Sequence, residues 1–260
     1  MPRDTFASLW DELLSEGVVS ITASDLGERA GASPESTHLA AHFAKRAKKL
    51  FSPTKGLYVL VPPEYRAWGL VPADWFIDDM MRHQGRKYFI GFLTGAAMHG
   101  ASHQAAQVFQ VVTDRRVKDR VVGKLRMQFH TTSEFDARSV QKRTGPTGSL
   151  VVATPETCAL DLAERPDLGG GVNVLLEVLG GLALDADRLV EAAQSRSRAT
   201  VRRCGWILER THPHLDLEGL RSLALPGEGV DTPLVAAGER RGSHDHGWGV
   251  LVNTIAEGGG

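Results

Sequence analysis

Five cationic side chains lie between residues 36 and 63, and no aspartate or glutamate lies among them. They are Lys45, Arg46, Lys48, Lys49 and Lys55. Lysine and arginine at this density bind phosphate oxygens, and the backbone of a nucleic acid presents phosphates in a regular row. A solvated helix face can have the same composition, so the interpretation depends on the elements that carry these residues.

Two closely spaced helix starts precede the cations. Thr22 is a typical N-cap, and Gly31 offers a left-handed end to the short helix that follows it. Ser33 and Pro34 then form a second start, since proline at the first helical position loses no hydrogen bond. The second helix is predicted over residues 34–50. Two capped helices joined by a three-residue turn are typical of a DNA-binding helix-turn-helix.

Apolar spacing predicts how the second helix packs. One stripe recurs at intervals of four, four and three residues and is expected to be buried: Leu39, Phe43, Ala47 and Leu50. A first helix over residues 6–16 would complete a three-helix core. A basic turn over 52–56 and a strand over 57–61 follow, as the wing of a winged helix does.

The remaining faces of the second helix supply the predicted DNA contacts. Base edges are expected to meet its N-terminal half, and phosphates its C-terminal half and the wing. The predicted DNA-binding residues are Ser36, Thr37, His38, His42, Lys45, Arg46, Lys49 and Lys55. The first two turns contain no arginine, asparagine or glutamine for bidentate base contacts. A homodimer on double-stranded promoter DNA would then supply the missing specificity.

The sequence predicts an α+β fold in which an N-terminal winged helix-turn-helix precedes a larger mixed α/β domain. A linker rich in proline is predicted over residues 62–72, so the domains are placed at 1–66 and 67–222. Residues 223–260 are interpreted as a tail rich in glycine and proline, with one strand near its end. A helix capped by Asp74, strands over 108–112, 125–131 and 150–153, and helices over 155–163, 172–180, 186–195 and 199–210 are predicted between them.

A second group of cations lies further along the chain. Its members are Arg115, Arg116, Lys118, Arg120, Lys124, Arg126, Arg138, Lys142 and Arg143. We interpret them first as the solvated surface of loops and strands. Contact with the DNA backbone and a surface for an acidic partner are the two functional alternatives.

Enzyme motifs are missing from the sequence. It contains no GxSxG elbow, no GxxxxGK[ST] phosphate loop and no GxGxxG after a strand. Three pairs have ligand-like spacing: His99 with His103, His244 with His246, and Asp185 with Asp187. Gly100 interrupts the first pair, the second lies among glycines, and the third suits a helix cap. We therefore predict no catalytic residue, no metal, no cofactor and no enzymatic activity.

Bulk composition sets further limits. The formal net charge is −1, so affinity for DNA must come from a local patch. Cys158 and Cys204 lack CxxC spacing, which indicates reduced core thiols in a cytoplasmic protein. No apolar run approaches the roughly 18 residues of a membrane span, and no secretory leader is recognisable, so a membrane partner is not expected.

Several segments carry a family resemblance. They are GLYVLVPPEYRAWG at 56–69, YFIGFLTGAAMHGASHQ at 88–104, QVFQVVT at 107–113 and TPETCALDL at 154–162. These segments resemble AbiE-type antitoxins, and the likeness covers most of residues 20–210. It implies an N-terminal winged helix that represses the antitoxin's own operon and a larger domain that carries antitoxin activity.

The resemblance also implies a partner. Family members act with a nucleotidyltransferase-like toxin encoded alongside them, in abortive phage infection and type IV toxin–antitoxin systems. In that type the antitoxin counters the toxin without necessarily forming a stable complex. The alternative is a stand-alone winged-helix transcription factor whose α+β domain binds a small ligand or dimerises.

Overall fold

The computed structural model describes residues 2–101, 108–132, 134–224, 231–236 and 238–253. It is a mixed α+β fold, as predicted. Contacts divide the chain into two compact units. The N-terminal unit comprises Met1–Tyr88, Thr113–His130 and Lys142–Val151, and the C-terminal unit comprises Phe89–Val112, Thr131–Gln141 and Val152–Gly260. The sequence predicts a domain boundary near residue 66. That boundary says which part of the chain would fold alone, and it stays a prediction.

The N-terminal unit begins with three helices and three strands. In chain order they are α1 (Pro2–Ser15), β1 (Ser20–Thr22), α2 (Ala23–Ala30), α3 (Pro34–Arg46), β2 (Leu50–Thr54) and β3 (Leu57–Leu60). The strands form an antiparallel sheet with the order β1-β3-β2. β2 covers residues predicted as a turn, so the connection to β3 is shorter than expected.

The predicted helix starts of this unit are confirmed. The Thr22 hydroxyl accepts a hydrogen bond from the Asp25 amide at 3.1 Å, and Gly31 adopts a φ of +56° where α2 ends. Ser33 caps α3 in the same way by accepting from the Ser36 amide at 3.3 Å. These caps satisfy amides that would otherwise lack partners at the helix ends.

The predicted buried stripe of α3 is wrong. Leu39 and Phe43 are 56% and 46% exposed, and the buried residues of the helix are Thr37, Ala41 and Ala44. Small side chains at this spacing let α3 approach its neighbours closely, which a row of large side chains would prevent. α3 also ends at Arg46, so Leu50 lies in β2 rather than in the helix.

Residues 62–72 are packed within the N-terminal unit rather than forming a simple linker. The Tyr65 ring lies 5.7 Å from Trp68 and 5.2 Å from Trp75, centroid to centroid. Arg66 pairs with Asp11 at 3.6 Å. A 3₁₀ turn over Ala73–Trp75 precedes α4 (Ile77–His83), so the predicted capping role of Asp74 is also wrong.

Six strands form a second sheet. They are β4 (Tyr88–Ile90), β5 (Phe109–Thr113), β6 (Arg120–Val122), β7 (Leu125–Thr131), β8 (Val140–Gly145) and β9 (Gly148–Ala153), in the order β6-β7-β5-β4-β9-β8. β6 and β7 are antiparallel, whereas β4 and β9 run parallel with Ile90 opposite Val152. The three strands predicted here correspond to β5, β7 and β9, whereas β4, β6 and the exposed edge strand β8 were not predicted.

The C-terminal unit is mainly helical. Its helices are α5 (Phe92–Met98), α6 (Pro155–Glu164), α7 (Val172–Gly180), α8 (Ala186–Ala193), α9 (Arg198–Thr211) and α10 (Glu218–Ala224). α6 is largely buried and packs against α5, α8 and α9. Gly95 permits the α5 contact, because a side chain there would meet the Cys158 sulfur at 2.8 Å. The predicted helices α6 to α9 are confirmed.

Residues 231–236 and 238–253 of the supposed tail are folded within the C-terminal unit. β10 (Thr232–Pro233), β11 (Ser243–Asp245) and β12 (Val250–Val252) form a small sheet with the order β10-β12-β11. Trp248 is fully buried against α9 at Gly205, where a Cβ atom would lie 2.0 Å from the indole. The strand predicted near the end of the chain corresponds to β12.

Both cysteines are free and buried. Burial raises the pKa of the Cys204 thiol to about 12 and that of Cys158 well above its usual value. At pH 8 a thiol with a pKa of about 12 is ionised to about one part in 10⁴, and only the thiolate reacts. We expect a disulfide reagent to modify neither thiol in the native protein and both after denaturation. Rapid reaction of the native protein would contradict this burial.

Among the described residues, no helix combines the length and apolar character needed to cross a membrane.

Candidate nucleic-acid interface

The exposed side of α3 carries two rows of side chains. His38 and His42 form one row, one helical turn apart, and Leu39 and Phe43 form the other. The His42 and Phe43 rings meet edge to face with centroids 5.8 Å apart. Arg46 continues the exposed surface at the C-terminal end of α3. The exposed face is therefore basic and apolar together.

The predicted contact residues differ in accessibility. His38, His42, Lys45, Arg46 and Lys55 are exposed, and Ser36 and Lys49 are partly exposed. All of them lie on α3, at its end or at the turn between β2 and β3. All eight predicted residues thus lie in one segment of the N-terminal unit, and seven of them are at least partly exposed.

Thr37 is the exception, because it is buried. Its side chain is 2% exposed, and its hydroxyl donates to the Ser33 carbonyl at 3.0 Å. Thr37 packs against Gly27 of α2. A Cβ atom at that glycine would lie only 3.2 Å from the Thr37 hydroxyl oxygen. Thr37 therefore spaces α2 from α3 and cannot reach a base. Its polar type suggested exposure, but threonine satisfies its hydroxyl within a helix.

The cations are held in different ways. The Lys45 ammonium lies 5.1 Å from the centre of the Tyr58 ring, within the range of a cation–π contact. Lys48 has a left-handed φ of +56° and donates from its ammonium to the Ala67 carbonyl at 3.0 Å. Lys55 lies at the turn between β2 and β3, where its carbonyl oxygen is 3.0 Å from the His83 ring. The sequence did not predict this contact between α4 and the β2–β3 turn, because His83 is distant from Lys55 in the chain.

An open groove of about 620 Å³ runs between α2 and α3. Its lining includes Gly27, Glu28, Thr37, His38 and Tyr58. Glu28 gives this side of α3 a negative charge, whereas Lys45, Arg46 and Lys55 lie outside the groove. Because the groove contains a carboxylate and the cations lie outside it, phosphates would bind better at the C-terminal end of α3 and at the β2–β3 turn.

The second group of cations separates into two classes. Arg116, Lys118, Lys124 and Arg126 are exposed, in keeping with a solvated surface. Arg138 is instead buried, so its interpretation as a solvated residue is wrong. Its guanidinium donates to Glu164 at 3.1 Å and lies beside Asp161 in the C-terminal unit.

A buried ion cluster surrounds Arg138. Arg196, whose side chain is 1% exposed, donates to Asp161 at 2.6 Å and to Glu164 at 2.9 Å. Burial raises the pKa of the Asp161 carboxyl and lowers that of the Arg138 guanidinium, although each has oppositely charged neighbours. The two arginines are thus matched within the unit by Asp161 and Glu164, and the cluster joins α6 to the segments before β8 and α9.

The exposure of Phe43 changes the expected effect of its removal. Phe43→Ala should lower the free energy of unfolding by about 1 kcal/mol or less, because a half-exposed ring loses little burial. Urea denaturation of the full chain measures this change. A loss of about 3 kcal/mol or more, typical of a buried phenylalanine, would mean that Phe43 faces the core after all.

The remaining candidates have structural roles. Asp185 caps α8 by accepting from the Arg188 amide at 3.0 Å, as predicted. The His99 ring contacts the Ala153 carbonyl at 2.8 Å, and His103 lies outside the described residues. His244 pairs with Asp231. Within the described ranges, no three histidine, cysteine, aspartate or glutamate side chains are grouped as metal ligands would be.

Comparison with known proteins adds a family and a fold. A crystal structure of the RV2827C protein from Mycobacterium tuberculosis is similar, with a TM-score of 0.68 and 18% identity, over 95% of this chain and 91% of that chain. At this identity the likeness shows the fold alone. No curated protein sequence matches significantly. Residues 89–210 match the family model of the AbiEi antitoxin C-terminal domain. The chain thus contains a segment, from β4 to α9, that is similar to the C-terminal domain of AbiEi antitoxins.

Proposed function

We propose that this chain is a DNA-binding antitoxin. Its α3 and β2–β3 turn would bind promoter DNA and repress its own operon, and its C-terminal region would neutralise a cognate nucleotidyltransferase-like toxin. The match of residues 89–210 supports the antitoxin role directly. Such a protein is regulatory rather than enzymatic and acts in the cytoplasm, where its operon lies.

The arrangement of the N-terminal elements supports the repressor part. Helix, strand, two helices and two strands, with a β1-β3-β2 antiparallel sheet, is the order of a winged helix-turn-helix. α2 and α3 would form the helix-turn-helix pair, and the β2–β3 turn the wing. In such folds the second helix enters the major groove and the wing follows the backbone.

Charge is the single observation that carries DNA binding. The segment from residue 36 to residue 63 has five cations and no carboxylate, although the whole chain has a net charge of −1. Lys45, Arg46 and Lys55 are exposed and would contact phosphates, and Lys49 is partly exposed beside them. Ser36, His38 and His42 would face base edges. A homodimer on DNA would double these contacts.

Two measurements on the full chain test the proposal. The first is binding to a duplex from the region directly upstream of its gene, followed by fluorescence anisotropy at several salt concentrations. The second is co-expression with the neighbouring nucleotidyltransferase-like gene, scored by growth. We expect salt-dependent binding in the first and rescue in the second, without requiring a stable complex. Binding without rescue would favour the stand-alone transcription factor.

A further inference from the structure

Two large apolar side chains share the exposed face of α3. Leu39 and Phe43 are 56% and 46% exposed and lie one helical turn apart. The other large exposed apolar side chains among the described residues are Trp68, Val121, Val140 and Val174, and none of these shares a helix with another. Adjacent apolar surface left in water costs free energy, so this pair is suited to contact with a partner.

The charges around the pair restrict that partner. His38 and His42 flank it on one side, and Lys45 and Arg46 lie at the end of the helix. Glu35 is the carboxylate at the helix start, and hydrogen bonds from its own amide and from Ser33 lower its pKa. A second copy docking through this face with its helix parallel to α3 would bring Lys45 and Arg46 close to identical cations, which is unfavourable. The surface fits an anionic partner that has apolar groups.

The major groove of DNA meets this description. Its edges are lined by phosphates, and the one apolar group that a base presents there is the 5-methyl group of thymine. Leucine and phenylalanine have no donor or acceptor, so methyl contact is the readout available to them. We infer that Leu39 and Phe43 recognise thymine methyl groups, which rests on the proposed binding of promoter DNA by α3.

Uracil substitution isolates this contact, since uracil differs from thymine only in lacking the methyl group. The upstream duplex is amplified once with dTTP and once with dUTP, and the full chain is titrated against each by anisotropy. Each lost methyl contact should weaken binding about fourfold, from the transfer free energy of one buried methyl group. We therefore expect the uracil duplex to bind the protein at least fourfold more weakly than the thymine duplex.

Variants show whether the two residues cause the difference. The double variant Leu39→Ala, Phe43→Ala should bind the thymine duplex more weakly and should no longer distinguish it from the uracil duplex. Val121→Ala, which truncates a 70% exposed residue of β6, should keep the wild-type ratio. Thermal unfolding of each variant verifies that the fold is retained.

The outcomes separate this inference from the proposed function. If the wild-type chain binds neither duplex, the proposed DNA binding itself fails. If it binds both equally, or if the double variant keeps the full difference, DNA binding stands and methyl recognition by these residues is overturned. If the double variant only converts a dimer into a monomer in sedimentation, the face is covered by a second copy, and the inference is likewise overturned.

Discussion

Trp248→Ala should lower the free energy of unfolding of the C-terminal unit by about 3–5 kcal/mol, the range for truncating a buried aromatic side chain. Trp248 is 0% exposed and its indole lies against Gly205 of α9. The Arg221 guanidinium lies 4.3 Å from the ring centre. Removing the indole leaves a cavity beside α9 and removes the cation–π contact of Arg221, which keeps its ion pair with Glu209.

Urea denaturation followed by far-UV circular dichroism measures the effect. Trp68→Ala is the matched control, because it removes the same side chain from a site that is 64% exposed in the N-terminal unit. It should change stability by about 0.5 kcal/mol or less. Trp248→Phe keeps a ring in the site and should fall between the two. Equal losses for Trp248→Ala and Trp68→Ala would show that the end of the chain does not support the unit.

The result has a functional consequence. Trp248 lies after the segment that matches the antitoxin family, yet it packs on α9, which is largely within that segment. A loss of about 3–5 kcal/mol is a large part of the usual stability of a domain. We therefore expect Trp248→Ala to reduce toxin neutralisation by depleting folded protein, and lower growth temperature to restore part of it.

The sequence predicted features that depend on neighbouring residues. Thr22, Ser33 and Asp185 were predicted as caps and are caps, since a cap is decided largely within four residues; Asp74 is the one predicted cap that is wrong. The predictions from the sequence were wrong where packing between distant segments decides which side chains are buried. Thr37, Ala41 and Ala44 are buried because α3 approaches its neighbours closely, a constraint that large apolar side chains at helical spacing do not reveal.

The same distinction explains the other errors. Trp248 and Gly205 are far apart in the chain, so neither residue alone indicated that residues 238–253 are folded. Arg138 lay within a run of cations that looked solvated, and its partners Asp161 and Glu164 lie on α6, later in the chain. For the candidate interface, charge and capping predict α3 and the β2–β3 turn, and exposure decides which of their side chains could touch DNA. The DNA contacts themselves stay predictions.

Replacing Lys45, Arg46 and Lys55 with alanine should weaken binding to the upstream duplex by about two to three orders of magnitude at roughly 0.1 M salt. Each phosphate contact contributes about 0.9 to the slope of log affinity against log salt, so three contacts should lower that slope by about 2.7 per subunit. All three side chains are exposed, so the fold should survive. Anisotropy across a salt series measures both quantities.

The matched control removes the same charge from elsewhere on the N-terminal unit. Arg116, Lys118 and Lys124 are exposed cations of the second group. Replacing them with alanine should leave the slope near its wild-type value if α3 and the β2–β3 turn are the site. Equal losses for the two triple variants would indicate that the second group also contacts the DNA backbone.

The Lys45, Arg46 and Lys55 variant also tests whether repression and neutralisation are separable. A promoter reporter should be derepressed, because the phosphate contacts are lost. Cells that express the toxin should still be rescued, because residues 89–210, which match the antitoxin domain, are unchanged. If the variant is folded and yet fails to rescue, the N-terminal elements take part in antitoxin action, and the assignment of the two activities to different parts of the chain must be abandoned.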